Sequence, residues 1–479
     1  MTAPKKISRR NMMGQSIGAA TVGMTLAGCP STETDPKTGP GPAPTTRRGP
    51  GPNEKIGVGI IGCGRRNAQL QTGLGDQGVP PEDAQIVAVS DLNLTRAEQW
   101  GEHFGVPAFQ DYKRLLDRDD VDVVIYATPE HWHYLPCIHA AQAGKDIYGE
   151  QPLSHTIREG RAMADAVRKY GAVFQTGEQQ RSHPKTRHAA ELILNGRIGK
   201  IQSIIGYNYP SPYECDFPEE PIPDGLDWNK WCGPNELVPY NTSLYLSRTP
   251  YNSKIDWSVA FRTQKEIDAV GPGWMSFRPY SGGELVNWGC HGLSMVQWVM
   301  QLDESGPVEV WVEPGEALDA PVYSQPEDRT RGDDATDNTV INYRFENDVV
   351  LSLSETEDRS LGGGAKFIGE KGSITIIRNG YICDPEVLDE EPLPDDATRL
   401  YVSDNHVQNF YECVRSREDP IMNVEAGHRV ATMCHLGNIA RWMGRPLQWD
   451  PVAEEFPGDD EANKLLDTPK RPGFELPEV

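Results

Sequence analysis

Basic charge, paired cysteines and long apolar runs are all scarce in this sequence, and each shortage excludes something. Lys and Arg number 46 against 70 Asp and Glu, a formal charge of −24. Nucleic acid and anionic lipid both need basic surfaces, so neither is expected as a partner. The nine cysteines (29, 63, 137, 215, 232, 290, 383, 413 and 434) show no CxxC or CxxH spacing, so no metal site is expected. The apolar run at 14–28 is too short for a permanent span, which needs about 20 residues. Aromatic residues make up only 8%, yet 37% of the chain is apolar, enough for packed cores. At 479 residues the chain is too long for one ordinary core, so two domains with appendages are expected.

Residues 1–28 read as an address. KKISRRNMM (5–13), with the pair Arg9–Arg10, precedes the uncharged, small-residue run GQSIGAATVGMTLAG. That is the layout of a secretory signal, and its S-R-R-x-M-M core resembles a twin-arginine signal. Leu26-Ala27-Gly28-Cys29 resembles a lipoprotein cleavage box, which makes Cys29 the expected lipidation site; a plain signal peptide cut nearby is the alternative. The protein is thus expected to be exported to the cell envelope or periplasm, touching a membrane only through a lipid anchor. Residues 29–54 are dense in Pro, Gly and Thr, and read as a disordered linker.

From Lys55 the pattern changes. KIGVGIIG (55–62) is a short apolar run that ends in the turn GCGRRN and opens into a helix. This is the context a dinucleotide fingerprint requires. Gly62 permits the tight turn, Gly64 lets backbone approach a pyrophosphate, and Arg65 and Arg66 open the helix whose amides face the phosphates. The third glycine position holds Asn67, which predicts looser packing of helix on strand. QIVAVSD (85–91) is a second strand ending in Asp91, placed to accept hydrogen bonds from an adenosine ribose; a strand-end turn is the bland reading. A carboxylate there repels a ribose phosphate, so NAD is favoured over NADP. The gap from Gly62 exceeds the usual spacing of about 20 residues, and the loop 73–83 accounts for the excess. Strands at 120–129, 146–152 and 172–177 alternate with helices at 133–145 and 156–170, which implies a parallel, doubly wound sheet. Thr128, Pro129, Glu150 and Gln151 fall at its carboxyl edge, where ligands bind.

The landmarks GIIGCGRR, VSD, ATPEHWHY, AGKDIYGEQPL and QTGEQQR, followed by SGGELVNWGCHGLSMVQW (281–298), resemble the glucose–fructose oxidoreductase / inositol dehydrogenase / MocA (Gfo/Idh/MocA) family. HVQNFYECVRSREDP (406–420) and the segment 425–451 resemble the C-terminal part of its exported bacterial branch. The resemblance implies an α/β protein: a Rossmann domain (55–177), then a substrate and oligomerisation domain (178–400) with an open, mainly antiparallel sheet. A helical segment and tail (401–479) would pack back on both. Alternating patterns at 200–209, 338–347, 349–356 and 373–379 independently offer strands for the second sheet.

The resemblance further implies hydride transfer between a nicotinamide and a sugar, polyol or related molecule, by a homo-oligomer (dimer or tetramer). Its catalytic elements are an E-K-P lysine and a D-x-x-x-H pair. Here Glu150 and Pro152 match but the lysine position holds Gln151; His291 matches but the aspartate position holds Asn287. Glutamine and asparagine offer only neutral hydrogen bonds, so His291 is the one titratable group left in the expected set. His133 is expected to line the cofactor cleft, and Gln179 and Arg181 to meet substrate or to join the domains. The His131–His133 spacing lacks a third ligand for a metal. Trp228, Trp231, Trp257 and Trp274 lie in a Pro/Gly-rich stretch, to stack on sugar rings or to pack it.

Three functions remain open on this reading. The first is an exported NAD-dependent oxidoreductase of a carbohydrate-like small molecule. Its cofactor would be tightly bound, because free NAD is scarce outside the cytoplasm. The second is a redox-neutral glycosidase or lyase working by oxidation, elimination and reduction. The third is a non-catalytic sugar-binding protein on a retained Rossmann shell.

Overall fold

The computed structural model describes residues 54–72, 80–246, 273–318, 322–323, 339–354 and 363–479. The signal with Cys29, nearly all of the linker, part of the 73–83 loop and Trp257 lie outside them. Six strands make the first sheet: β1 (Ile56–Ile61), β2 (Ala84–Ser90), β3 (Ala108–Phe109), β4 (Val123–Tyr126), β5 (Asp146–Gly149) and β6 (Phe174–Thr176). Their order is β3-β2-β1-β4-β5-β6, and every neighbouring pair is parallel. β1, β4 and β5 are buried along their whole length, as strands covered on both faces must be. The order reverses between β1 and β4, which opens a crevice at the carboxyl edge of a doubly wound sheet. β3 was not expected from the sequence; two residues carry too little periodicity to be seen.

The connecting helices start and stop on local chemistry. Helix Leu94–Phe104 is capped by the Asn93 side chain, which accepts from the Arg96 amide, and ends at Gly105 with φ 69°. Helix Ile157–Tyr170 starts at Thr156, which accepts from the Glu159 amide, and ends at Gly171 with φ 64°. Each pairs a polar N-cap with a left-handed glycine, the ordinary punctuation of a helix. Asn67 fills the third glycine position with a polar side chain. It is fully buried, and its side-chain amide donates to the carbonyls of Ile61 (3.0 Å) and Gly62 (2.7 Å), pinning the helix Arg65–Thr72 to the turn after β1.

The second sheet uses β7 (Ile201–Tyr207), β9 (Glu309–Glu313), β11 (Val340–Arg344), β12 (Val350–Ser354), β13 (Ala365–Gly369), β14 (Gly372–Ile377), β15 (Gly380–Asp384) and β16 (Leu447–Gln448), while β8 (Glu214–Cys215) and β10 (Val322–Tyr323) pair apart. Its order is β15-β14-β13-β7-β12-β11-β9-β16. Every neighbouring pair is antiparallel except β7 with β12. One face is buried: Ile204, Leu351 and Leu353 point inward while their neighbours along the strands stay partly exposed. Helices Pro184–Leu194, Gly289–Val299 and Val424–Met443 contribute to the same core.

Two departures from the sequence reading bear on the site. Residues 281–298, where the family resemblance implies an active-site helix, hold two helices, Gly283–Asn287 and Gly289–Val299, with Trp288 between them. Glycine on both sides of this short stretch weakens helix formation there. The first core is also not built from residues 55–177 alone. Val407, Phe410, Tyr411 and Val414 of helix His406–Ser416 share one apolar cluster with Ile56, Val58 and Ile60 of β1. Helix Val424–Met443 serves both cores, giving Val424 and Ala431 to the dinucleotide side and Val430, Leu436 and Ile439 to the other.

Candidate active site

One cleft of about 360 Å³ runs along the carboxyl edge of the parallel sheet, within the range typical of small-molecule sites. At one end lie Gly62, Gly64, Asp91 and Arg96; at the other lie Glu150, Gln151, Gln179, Asn287, His291 and Arg378. The turn after β1 explains its own glycines. Gly62 has φ +86°, and a Cβ there would lie 2.8 Å from the Ala127 carbonyl oxygen, whereas a Cβ on Gly64 would meet nothing within 4 Å. Gly62 therefore makes the turn, and Gly64 leaves open space over the backbone. Asp91 is held from two sides. Its Oδ2 accepts from the Cys63 amide and its Oδ1 from the Asn93 amide, both at 2.8 Å, with the Arg96 guanidinium 3.7 Å away.

These features fit a dinucleotide. Each carboxylate oxygen of Asp91 keeps a lone pair beyond its amide partner. Thr128 contributes a buried hydroxyl without a hydrogen-bond partner among the described residues, at the cleft wall beside Pro129. Arg65 and Arg66 both line the cleft, and Arg66 pairs with Glu150 at 2.9 Å, tying the first helix to the end of β5. Burial raises the Glu150 carboxyl above its usual range, and the Arg66 charge opposes that rise.

At the reaction end the polar groups are held mostly by side chains. Gln151 Oε1 accepts from the Cys290 thiol at 3.2 Å, and the Asn287 amide donates to Glu130 at 3.5 Å. Glu130, buried, also accepts from the Ser281 hydroxyl (2.8 Å) and the Gly282 amide (2.9 Å). Burial pushes its carboxyl up to about 7. His291 is 4% exposed, and its Nδ1 has no hydrogen-bond partner among the described residues. Burial first, then the charges of Arg378 and Arg66, lowers it to about 3. His291 is therefore neutral at physiological pH.

Two expected site residues do not face the cleft. His133 is buried behind it, with Nδ1 2.8 Å from the Pro152 carbonyl and Nε2 3.0 Å from that of Thr128. It links the exits of β4 and β5 rather than lining the cleft. Arg181 is fully buried and reaches Asp303 with both outer nitrogens at 2.8 Å and Ser294 Oγ at 3.1 Å. An arginine so engaged is scaffold, not a substrate contact. Gln179 does line the cleft, its amide donating to the Tyr148 hydroxyl at 3.2 Å. Trp231 and Trp274 line it too, while Trp228 stacks behind Trp231 at 4.5 Å.

Sequence reasoning passed over Glu130, Cys290, Arg378, Arg96, Gln110 and Tyr245. Glu130 had a usable signal, since it directly follows the Thr128–Pro129 pair at a strand exit. Arg96, five residues after Asp91, and Cys290, next to His291, were within reach of local reasoning too; Arg378, Gln110 and Tyr245 join the site only through the fold.

Comparison with known proteins agrees with this arrangement. Residues 56–178 match a family described as an oxidoreductase family with an NAD-binding Rossmann fold, and residues 262–476 match the C-terminal alpha/beta domain of the same family. The 2,7-anhydro-N-acetylneuraminate hydratase of Mediterraneibacter gnavus is 31% identical over 146 residues, 30% of this chain and 37% of that protein. Levoglucosan dehydrogenase of Pseudarthrobacter phenanthrenivorans is 34% identical over 135 residues, 28% of this chain and 34% of that one. The chain thus aligns with little more than a third of the length of either. Among solved structures, the WlbA dehydrogenase of Bordetella pertussis, in complex with NADH and UDP-GlcNAcA, superposes with a TM-score of 0.53 at 18% identity. That match covers 83% of this chain and 99% of the other. With both domains matched in order along one chain, the protein belongs to the Gfo/Idh/MocA oxidoreductase family, and its first domain is the family's NAD-binding Rossmann unit.

Proposed function

We propose that the protein transfers hydride between NAD and a carbon of a sugar, polyol or sugar derivative. The observation that carries this reading is the continuity of one cleft from the dinucleotide turn, at Gly62, Gly64 and Asp91, to Gln151, Asn287 and His291. Bound at this edge, the nicotinamide would supply the hydride acceptor or donor. The rest is work for the chain. Asp91 would take the ribose hydroxyls, Gly64 and the helix start at Arg65 the pyrophosphate, and Thr128 and Pro129 the middle of the cofactor.

His291, neutral and at the cleft wall, would accept the hydroxyl proton of an alcohol as it is oxidised. Its depressed basicity makes it a weak base, because an imidazolium there is opposed by burial and by two guanidinium charges. Gln151 and Asn287 would hold the reacting oxygen by neutral hydrogen bonds. The Cys290 thiol occupies Gln151 Oε1, which leaves the Gln151 NH2 to serve as a donor. Such a site positions more than it polarises, so turnover is expected to be modest. The test is a panel of sugars and polyols labelled with deuterium at single carbons, with formation of the reduced nicotinamide followed by absorbance and its deuterium content by mass spectrometry. Label arriving on the nicotinamide supports the reading; binding without transfer across the panel would refute it.

That one relative is named as a hydratase favours one second reading. Oxidation of one ring carbon acidifies the proton on its neighbour, and a weak base then suffices for elimination before the ring carbon is reduced again. Many turnovers per bound nucleotide, with no added acceptor, would distinguish that route. For location we propose the cell envelope, which the Arg9–Arg10 pair and the Leu-Ala-Gly-Cys sequence at 26–29 support.

A further inference from the structure

Glu130 is a carboxylate that the proposed reaction does not use. It opens the short turn Glu130–Trp132 at the exit of β4 and is buried behind the cleft wall rather than on it. A carboxyl is costly to bury, so what it holds there is informative. Its partners all belong to the second domain. Ser281 Oγ donates to its Oε1 and the Gly282 amide to its Oε2, just ahead of the helix Gly283–Asn287, and Asn287 at the end of that helix donates to Oε1. One carboxylate of the first domain thus takes both ends of a helix that faces the reaction end.

The start of that helix is also fixed without Glu130. Asn438 Nδ2 donates to the Gly282 carbonyl at 2.8 Å, and the Gly283 amide to Ser281 Oγ at 3.0 Å. Gly283 has φ +75°, and a Cβ on it would come within 2.6 Å of the Pro212 nitrogen, so only glycine fits that turn. What Glu130 adds is a demand on Asn287. An ionised carboxylate can only accept. Asn287 therefore shows it Nδ2, at 3.5 Å, and turns Oδ1 toward the cleft that Asn287 lines. Among the described residues nothing donates to that oxygen.

We infer that Glu130 is a positioning residue: it presents Asn287 Oδ1 to the substrate as a fixed acceptor, which takes a second hydroxyl beside the one that is oxidised. The inference rests on the hydride transfer proposed above. There the reacting alcohol gives its single proton to His291 and has none left for Asn287 Oδ1. The other hydrogen on Asn287 Nδ2 can still reach the reacting oxygen, but Oδ1 needs a donor from elsewhere on the substrate. The substrate class is thereby narrowed from an alcohol to a molecule with at least two hydroxyls placed together.

The experiment uses the full chain with NAD at about pH 8.5, where Glu130 is ionised, and the best substrate of the sugar and polyol panel. Each of its other hydroxyls is replaced in turn by hydrogen or by fluorine, which accepts weakly and cannot donate. In wild type, either replacement at one position should raise KM about tenfold. Glu130→Gln keeps the size of the side chain: its carbonyl still serves the Gly282 amide, while its NH2 faces Asn287, which must turn its own NH2 to the cleft. In this variant the fluorine penalty at that position should shrink to about twofold and the hydrogen penalty should stay. A purely structural Glu130 would lower stability and leave the two penalties equal. Asn287→Ala should erase both at that position. Wild-type protein that tolerates hydrogen and fluorine at every position would overturn the inference, whether or not the variants fold. So would folded Glu130→Gln, checked by circular dichroism, with the wild-type fluorine penalty, or folded Asn287→Ala with both penalties intact. In those cases the proposed hydride transfer stands, whereas a panel without any substrate would remove it and this inference together.

Discussion

The two ends of the cleft are built differently. At the adenosine end the carboxylate of Asp91 is set by two backbone amides, and the turn before it is set by Gly62 and Asn67, so the geometry belongs to the main chain. At the reaction end Gln151 leans on Cys290 and Asn287 on Glu130, side chain on side chain, and His291 Nδ1 has no hydrogen-bond partner among the described residues. Groups fixed by backbone survive changes elsewhere in the sequence, because any residue supplies an amide. Groups fixed by other side chains can be retuned by one or two substitutions. The lesson is that a cofactor site and a reaction site sharing one cleft need not be held by the same means: here backbone amides set the first and side chains the second.

The comparison can be broken or sharpened by substitution. The largest effect is expected behind the reaction end. Asp303→Ala strands the fully buried Arg181 guanidinium, and unfolding stability should fall by about 3 kcal/mol. Substrate KM should hold, because Arg181 is scaffold; a KM that rises tenfold while stability holds would return Arg181 to the substrate site. Asp91→Ala removes the acceptor of two backbone amides and, on the proposed reading, of the ribose hydroxyls, and NAD affinity by calorimetry should drop about a hundredfold. An unchanged affinity would mean that this end does not read a ribose at all. Gln151→Lys restores a titratable group where glutamine only donates and accepts. Deuteride transfer should rise about tenfold with NAD affinity unchanged, and a flat result would point to chemistry other than simple dehydrogenation.

The smallest effect is on the pH dependence of melting. His131 is lowered to about 4, His155 to about 3, His291 to about 3, His406 to about 4 and His435 to about 4, each mainly by burial. A group depressed on folding contributes stability above its unfolded value of about 6.5 and loses it as pH falls toward 3–4. Glu130 and Glu159 are raised to about 7 and Glu178 to about 8, again by burial. Their contribution is full below about 4.5 and disappears as pH rises through 7 to 8. The histidines outnumber the glutamates, so melting temperature should climb from pH 4 to about 6.5 and decline gently by pH 8. A melting temperature that rises steadily from pH 6.5 to 9 would show that the buried glutamates ionise without cost.

Legibility in the sequence followed the range of the interactions. The parallel sheet, its turn at Gly62 and the acidic exit at Asp91 were readable because short motifs and period-2 or period-3.6 patterns encode them locally. His291 and Asn287 were readable as a pair because they are four residues apart. The orientation of Arg181 was not, since Asp303 lies 122 positions away, and nothing near an arginine in sequence announces a distant carboxylate. His133 was placed at the cleft by the family resemblance, and no local pattern announces the carbonyls of Thr128 and Pro152 that bracket it. Asn67 was read as a defect in a glycine pattern, when its amide replaces close packing with two hydrogen bonds. The aromatic stretch around Trp228 and Trp231 carried no periodicity, so the place of Trp231 at the cleft, with Trp228 stacked behind it, emerged only from the fold.

One consequence of the folded arrangement concerns the order in which the chain is made. The apolar face of β1 that helix His406–Ser416 shields is synthesised early, and the helix follows only after most of the second domain has left the ribosome. During that interval Ile56, Val58 and Ile60 have the cover of Ala68, Leu70 and Trp100 but lack that of Val407, Phe410, Tyr411 and Val414. A growing chain in this state is a natural client for a chaperone that binds exposed apolar strands, and a nucleotide held by it would rest on an unfinished sheet. Firm loading should therefore follow completion of translation, so the last quarter of the chain sets when the first quarter becomes competent.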